Sequence, residues 1–170
     1  MTAFYNWGDY MQNDITAVAL RPSALFVEDD ITFVSLMVQL LDKVNFAHAV
    51  SFEDALALAE KDEFDFIFLD LCLNDFDKYK TIENLGKLAN LCDVIVLSGH
   101  GDELLAAEAI RNGAAGYLRK TDIASLNQAQ ILRIVRDILR QHRAAGKLKE
   151  INKSLKASRR DIEKLLANIV

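Results

Sequence analysis

Between Ser23 and Arg140, short apolar runs alternate with amphipathic stretches five times over. This alternation constrains the fold most, because repeated strand-then-helix units bury their strands only in a parallel sheet covered on both faces. The strands fall at Leu25–Val27, Phe46–Val50, Phe64–Leu69, Val94–Leu97 and Gly116–Leu118. All but the second are close to continuously apolar, as strands buried on both faces must be. Helical spacing follows each strand. The first helix carries Phe33, Met37, Leu40, Leu41 and Val44, and Ser51 caps the second, with Ala55, Leu58 and Ala59 inward. Ile82, Leu85, Leu88 and Ala89 mark the third, and Leu105, Ala106, Ala109 and Ile110 the fourth, which Gly113 ends. A chain of 170 residues, 51% apolar, is long enough for one complete core with appendages. The expectation is an α/β fold with a doubly wound, five-stranded parallel sheet.

In open sheets of this kind the crossovers are right-handed and the carboxyl ends of the strands line the ligand crevice. Polar residues at those ends are therefore the ones to inspect. Strand one ends in Val27-Glu28-Asp29-Asp30, strand three in Asp70, strand four in Leu97-Ser98-Gly99-His100 and strand five in Tyr117-Leu118-Arg119-Lys120. A parallel sheet brings them to one edge, where three carboxylates meet a hydroxyl and an ammonium. Crowded carboxylates stay ionised at neutral pH only with a cation among them. Magnesium fits, since it takes a few carboxylates and keeps positions for water and phosphate oxygens, whereas no His or Cys cluster suggests zinc. Lys120 and Ser98, beyond Asp70, would bind the remaining oxygens of a phosphoryl group attached to it. Such a site transfers phosphate to a carboxylate.

These motifs, in this order, make residues 23–140 resemble the receiver domain of bacterial two-component response regulators. The resemblance rests on Val27-Glu28-Asp29-Asp30, Phe68-Leu69-Asp70-Leu71-Cys72-Leu73, Ser98, Ala109 to Ala114 followed by Gly116-Tyr117-Leu118, and Lys120. It implies a flavodoxin-like (βα)5 fold with Asp70 as phosphoacceptor. Glu28, Asp29, Asp70 and the backbone carbonyl of Cys72 would hold Mg2+. Ser98 and Tyr117 would form the switch, Lys120 would pair with the phosphoryl group, and His100 would modulate its hydrolysis. The implied donor is a histidine kinase or phosphotransfer protein. The implied role is signalling rather than enzymatic, with only self-catalysed phosphoryl transfer and dephosphorylation. A phosphatase working through an aspartyl phosphate would need a second acid two residues after Asp70, where Cys72 stands. The chain departs from the family at Asn74 and Lys78, where many receivers have Pro and then Gly, and at Thr121, where proline is usual. These departures bear on the loop after Asp70 and on the orientation of Lys120. The alternative is a pseudo-receiver acting constitutively as a dimerisation or nucleic-acid-binding module.

Other polar residues have structural readings. Asp30 fits the N-cap of the first helix, Asp65 a surface position at the start of its strand, and Asp75 and Asp77 turn-supporting loop acids. Cys72 and Cys92 read as reduced, buried, small hydrophobes, and His48 and His142 as surface or packing residues.

The two ends lie outside the repeat. Residues 1–22 form an arm holding Phe4, Tyr5, Trp7, Tyr10 and Met11. Residues 141–170 form a basic amphipathic helix with eight Lys or Arg against three Asp or Glu, although the whole chain has a net charge of -5. Leu148, Asn152, Leu155, Arg159, Ile162, Leu166 and Ile169 follow a 4-3 spacing, and Ile151 and Leu165 widen the stripe. A homodimer through this helix, parallel or antiparallel, is the expectation; docking on its own domain is the alternative. The basic charge reads as a solvated helix surface, so no nucleic-acid partner is expected. No winged helix or helix-turn-helix fits the remaining residues; in a whole protein the output would be a downstream protein partner or the dimer, and in a fragment the helix would be a signalling linker. No apolar run approaches the roughly 20 residues of a membrane span, and Met1 to Pro22 lacks a leader pattern, so the expected location is the cytoplasm.

Overall fold

The computed structural model describes residues 21–74, 77–99 and 103–167. It divides into two units, residues 1–139 and 140–170. The first unit holds a five-stranded, all-parallel sheet in the order β2-β1-β3-β4-β5. Its strands are β1 (Ser23–Val27), β2 (Asn45–Ala49), β3 (Phe66–Asp70), β4 (Val94–Ser98) and β5 (Gly116–Arg119). Helices α1 (Ile31–Leu40), α2 (Phe52–Lys61), α3 (Lys78–Ala89) and α4 (Glu103–Arg111) follow the first four strands. A single turn α5 (Lys120–Ile123) and the long α6 (Gln128–Ala167) follow β5. This is the flavodoxin-like, five-stranded doubly wound fold, with a long C-terminal helix.

Alternation along each strand builds two cores. Leu25, Val27, Ile67, Leu69, Val94 and Val96 face α2, α3 and α4, meeting Phe52, Ala55, Ile82, Leu85, Leu88, Leu105 and Ala109. Ala24, Phe26, Phe66, Phe68, Ile95 and Leu97 face Val34 and Met37 of α1, Ile123 of α5 and Ile131, Val135 and Leu139 of α6. Phe66 and Phe68 pack edge to face at 5.1 Å, and Phe68 meets Phe26 at 6.0 Å. Rings this buried each contribute about 1.5–3 kcal/mol by leaving water, so the middle of the sheet is its firmest part.

Local chemistry sets the boundaries. Asp30 caps α1 by accepting from the Thr32 amide at 2.9 Å, Ser51 caps α2 through the Asp54 amide, and Asp77 caps α3 through the Lys80 amide. Gly113 ends α4 at φ 108°, with the Ala114 amide donating back to Ala109. Several boundaries differ from those read in the sequence. β3 begins at Phe66 because Asp65 turns its carboxylate to the Ser23 amide, 2.8 Å away. Asp65 thus ties the start of β1 to the start of β3 and is not merely a surface residue. Val50 is exposed, since the chain leaves β2 after Ala49 to reach the Ser51 cap. Ile110 is exposed as well, because the buried ridge of α4 runs through Leu105 and Ala109. Cys72 is exposed, lying between buried Leu71 and Leu73 where the chain turns out of the sheet, while half-buried Cys92 donates to the Phe64 carbonyl.

In the second unit the helix passes through Gly146 without breaking. Leu148, Ile151 and Leu155 are 61%, 56% and 62% exposed there. Among the described residues no helix is long and apolar enough to cross a membrane.

Gly116 shows how closely this fold is packed. A Cβ there would run into Cγ2 of Ile138, a branched carbon that cannot swing away. We expect Gly116→Ala to cost about 1–3 kcal/mol in urea unfolding, with Ile138→Ala recovering part of the loss in the double variant. An unchanged midpoint would contradict this packing.

Candidate functional site

The strand order reverses direction at β1, so β1 and β3 leave the sheet as neighbours with their connections on opposite faces. Val27 pairs with Leu69, Asp70 with Leu97 and Ser98 with Arg119. That register sets Glu28, Asp29, Asp70, Ser98 and Lys120 along one edge, as the sequence implied.

Glu28, Asp29 and Asp70 each place a carboxylate oxygen within 4.8 Å of the others. Glu28 and Asp70 are buried, at 1% and 3% exposure. The Lys120 ammonium bridges them, 2.6 Å from Glu28 Oε2 and 2.9 Å from Asp70 Oδ2. Glu28 Oε1 also accepts from the Asp30 amide at 3.2 Å. Asp29 is half-buried and accepts from the Asn74 amide at 3.0 Å. Ser98 is fully buried, and its Oγ lies 2.5 Å from the Tyr117 hydroxyl in a bond where either group can donate. No cis peptide bond occurs among the described residues, and Lys120 reaches both carboxylates with Thr121 after it.

Two of the three carboxylates, Glu28 and Asp70, share the one ammonium, and the cost of burial falls on Glu28. Burial pushes its carboxyl up to about 7; Lys120 pulls it down, and the Asp70 charge adds to the rise. Burial also works against the Lys120 ammonium, yet its bonds to Glu28 and Asp70 outweigh this and hold its pKa above the usual lysine value. Among the described residues the grouped ligand atoms are the carboxylate oxygens of Glu28, Asp29 and Asp70, hard donors that suit a divalent cation such as Mg2+.

Three residues with a part in the site escaped the sequence reading. Asn74, noted only as a departure, supplies the amide that orients Asp29. Thr81 is fully buried and bonds the Leu71 and Asp77 carbonyls, bracing the loop after Asp70. The Phe33 ring, assigned only to helix packing, lies 4.9 Å from the Lys120 ammonium. Its position three residues after the Asp30 cap was the available signal, since the first turn of α1 faces this edge. The Cys72 side chain points away from the sheet, and His100 and Asp75 lie outside the described residues.

The sequence model of the response regulator receiver domain matches residues 24–136. The chain belongs to the response regulator receiver family. Its curated relatives include the two-component response regulators ORR24 of Oryza sativa subsp. japonica and ARR10 of Arabidopsis thaliana. ORR24 is 32% identical over 100 residues, 56% of this chain and 16% of the relative, and ARR10 is 31% identical over 101 residues, 56% and 18%. The photosynthetic apparatus regulatory protein RegA of Cereibacter sphaeroides is 30% identical over 100 residues, 58% of this chain and 54% of its own. The receiver thus spans less than a fifth of the plant relatives and about half of RegA. Among solved structures, the signal receiver domain of a protein described as a Luxo repressor from Vibrio parahaemolyticus has a TM-score of 0.60 at 25% identity, covering 76% of this chain and 98% of that one. A CheY-like receiver from Methanospirillum hungatei shares the fold with a TM-score of 0.60 at 21% identity, over 73% and 98%. Receiver domains interact with histidine kinases or phosphotransfer proteins and typically bind Mg2+ in an acidic pocket.

The raised Glu28 pKa has a measurable consequence. Between about pH 4.5 and 7 the unfolded chain has released this proton while the folded, metal-free receiver still holds it, so stability falls as pH rises through that window. Glu28→Gln stays neutral. We expect it to stabilise the metal-free protein at pH 8 by on the order of 1–2 kcal/mol and to be near neutral at pH 4.5 in urea titrations. Destabilisation at pH 8 would contradict this charge balance.

Proposed function

We propose that this receiver accepts a phosphoryl group on Asp70 from a histidine kinase or phosphotransfer protein and thereby switches a protein–protein interaction. The observation that carries the reading is the Lys120 ammonium held between buried Glu28 and Asp70, with Asp29 beside them. Glu28, Asp29, Asp70 and the Cys72 backbone carbonyl would hold Mg2+, which would neutralise phosphoryl oxygens as the group transfers. An Asp70 carboxylate oxygen attacks phosphorus, forming a P–O bond as the P–N bond of a phosphohistidine breaks. The imidazole leaves with the electron pair. Lys120 follows the charge onto the phosphoryl oxygens, where its pairing with Asp70 has already placed it.

Ser98 supplies the switch. Its hydroxyl is engaged by Tyr117 before transfer, and a phosphoryl oxygen on Asp70 competes for it. Losing that partner, Tyr117 changes rotamer at the surface of β5, and the new charge becomes a change of shape. Catalysis goes no further than this transfer and the later hydrolysis. His100 stands two residues beyond Ser98 and would tune that hydrolysis.

The output reading concerns residues 141–170. The exposed stripe through Leu148, Ile151 and Leu155 continues in the 4-3 spacing, and a free helix of this kind is marginal without a partner. A second copy is the partner proposed, as a homodimer, with a further protein downstream. The cytoplasm is the proposed location, with no membrane or nucleic-acid partner.

Incubation with acetyl phosphate and Mg2+ should add the mass of one phosphoryl group, lost in Asp70→Asn and on chelation. Lys120→Ala should slow uptake on the order of 100-fold. A wild-type protein that takes up no phosphoryl group, or an Asp70→Asn variant that still does, would refute the reading. Light scattering should give twice the chain mass, reduced to one chain by Leu148→Asp with Leu155→Asp; a wild-type monomer would remove the dimer.

A further inference from the structure

We propose that Phe33 is a positioning residue for phosphoryl transfer: its ring face holds the Lys120 ammonium over the site while the carboxylates that also hold it are claimed by the reaction. This rests on the receiver reading above.

The Lys120 ammonium has three hydrogens and, among the described residues, three neighbours of suitable chemistry. Two are Glu28 Oε2 at 2.6 Å and Asp70 Oδ2 at 2.9 Å, and the third is the Phe33 ring at 4.9 Å from its centroid. Both carboxylates are committed elsewhere during catalysis. A divalent cation would take a share of Glu28 and Asp70, and the attacking oxygen of Asp70 becomes the bridging oxygen of an acyl phosphate, which no longer carries a full charge. The ring alone is untouched by either event. A cation over an aromatic face is attracted by the ring quadrupole, the more so where water is excluded. Lys120 is itself only 21% exposed.

Phe33 is fixed well enough for this task. It sits in the first turn of α1, which Asp30 caps through the Thr32 amide, and its ring packs on Phe26 of β1 at 6.0 Å. Glu28, Asp29 and Phe33 thus share one strand end and one helix start, so the acids and the ring move as one body. Lys120 comes from beyond β5 at the far edge of the sheet, opening α5 with Thr121 after it. The ring gives that lysine a fixed partner independent of the state of Asp70.

Replacing Phe33 by mono-, di- and trifluorophenylalanine weakens the ring quadrupole in steps with little change of shape. With acetyl phosphate and saturating Mg2+, the initial phosphorylation rate should fall stepwise, by roughly three- to tenfold at the trifluoro derivative. Phe33→Leu should lose as much and Phe33→Trp should recover it, with thermal midpoints constant across the fluorinated series. A flat series at constant stability overturns the proposal. A second readout needs no phosphate: the Lys120 ε-methylene protons should be displaced upfield by the ring current and return to ordinary positions in Phe33→Leu. Ordinary positions in the wild-type protein would also overturn it. If the wild-type chain took up no phosphoryl group, the receiver reading would fail while the methylene shift still decided whether Phe33 holds Lys120.

Discussion

One ammonium shared by two buried carboxylates is the interaction on which the site depends. Lys120 meets Glu28 and Asp70 at 2.6 and 2.9 Å where water is nearly excluded. Burying ionised groups costs several kcal/mol each unless attraction and hydrogen bonds offset it. Here the offset is incomplete. Burial, with the Asp70 charge adding to it, raises the Glu28 carboxyl to about 7 although Lys120 pulls it down, and Asp29 stands beside the pair. The cluster sets three carboxylates against one ammonium. A metal ion would complete it, and a phosphoryl group would then find cations on both sides.

The rest of the first unit maintains this imbalance. β1 and β3 are buried on both faces, and their side chains alternate between two apolar cores, so neither can slip by one residue without turning a core row outward. The register is therefore firm, and with it the separation of Glu28 from Asp70. Among the described residues the surrounding loops are tied by side-chain bonds: the Asn74 amide to Asp29, Thr81 to the Leu71 and Asp77 carbonyls, and Ser98 to Tyr117.

Much of this was legible in the sequence because two periodicities were strong. Continuous apolar runs located four strands, and the acids, serine and lysine at their ends marked the edge where they meet. Less visible was what depends on where the chain turns. Cys72 read as buried from its apolar neighbours, yet the turn after Asp70 sends it outward while Leu71 and Leu73 point in. Asp65 looked like a surface acid because nothing local shows that Ser23, 42 residues earlier, offers it an amide. Phe33 matched helix-core spacing so well that its second neighbour, a lysine from beyond the edge strand β5, left no trace in the pattern. Long-range pairs of this kind are set by topology, and a local motif does not carry them.

The most direct test of this charge balance is a carbon-detected NMR titration of the Glu28 carboxyl with and without Mg2+. The account predicts a pKa about 7 in the metal-free receiver and a marked fall once Mg2+ is bound. An ordinary carboxylate pKa without metal, or one that Mg2+ does not move, would contradict it.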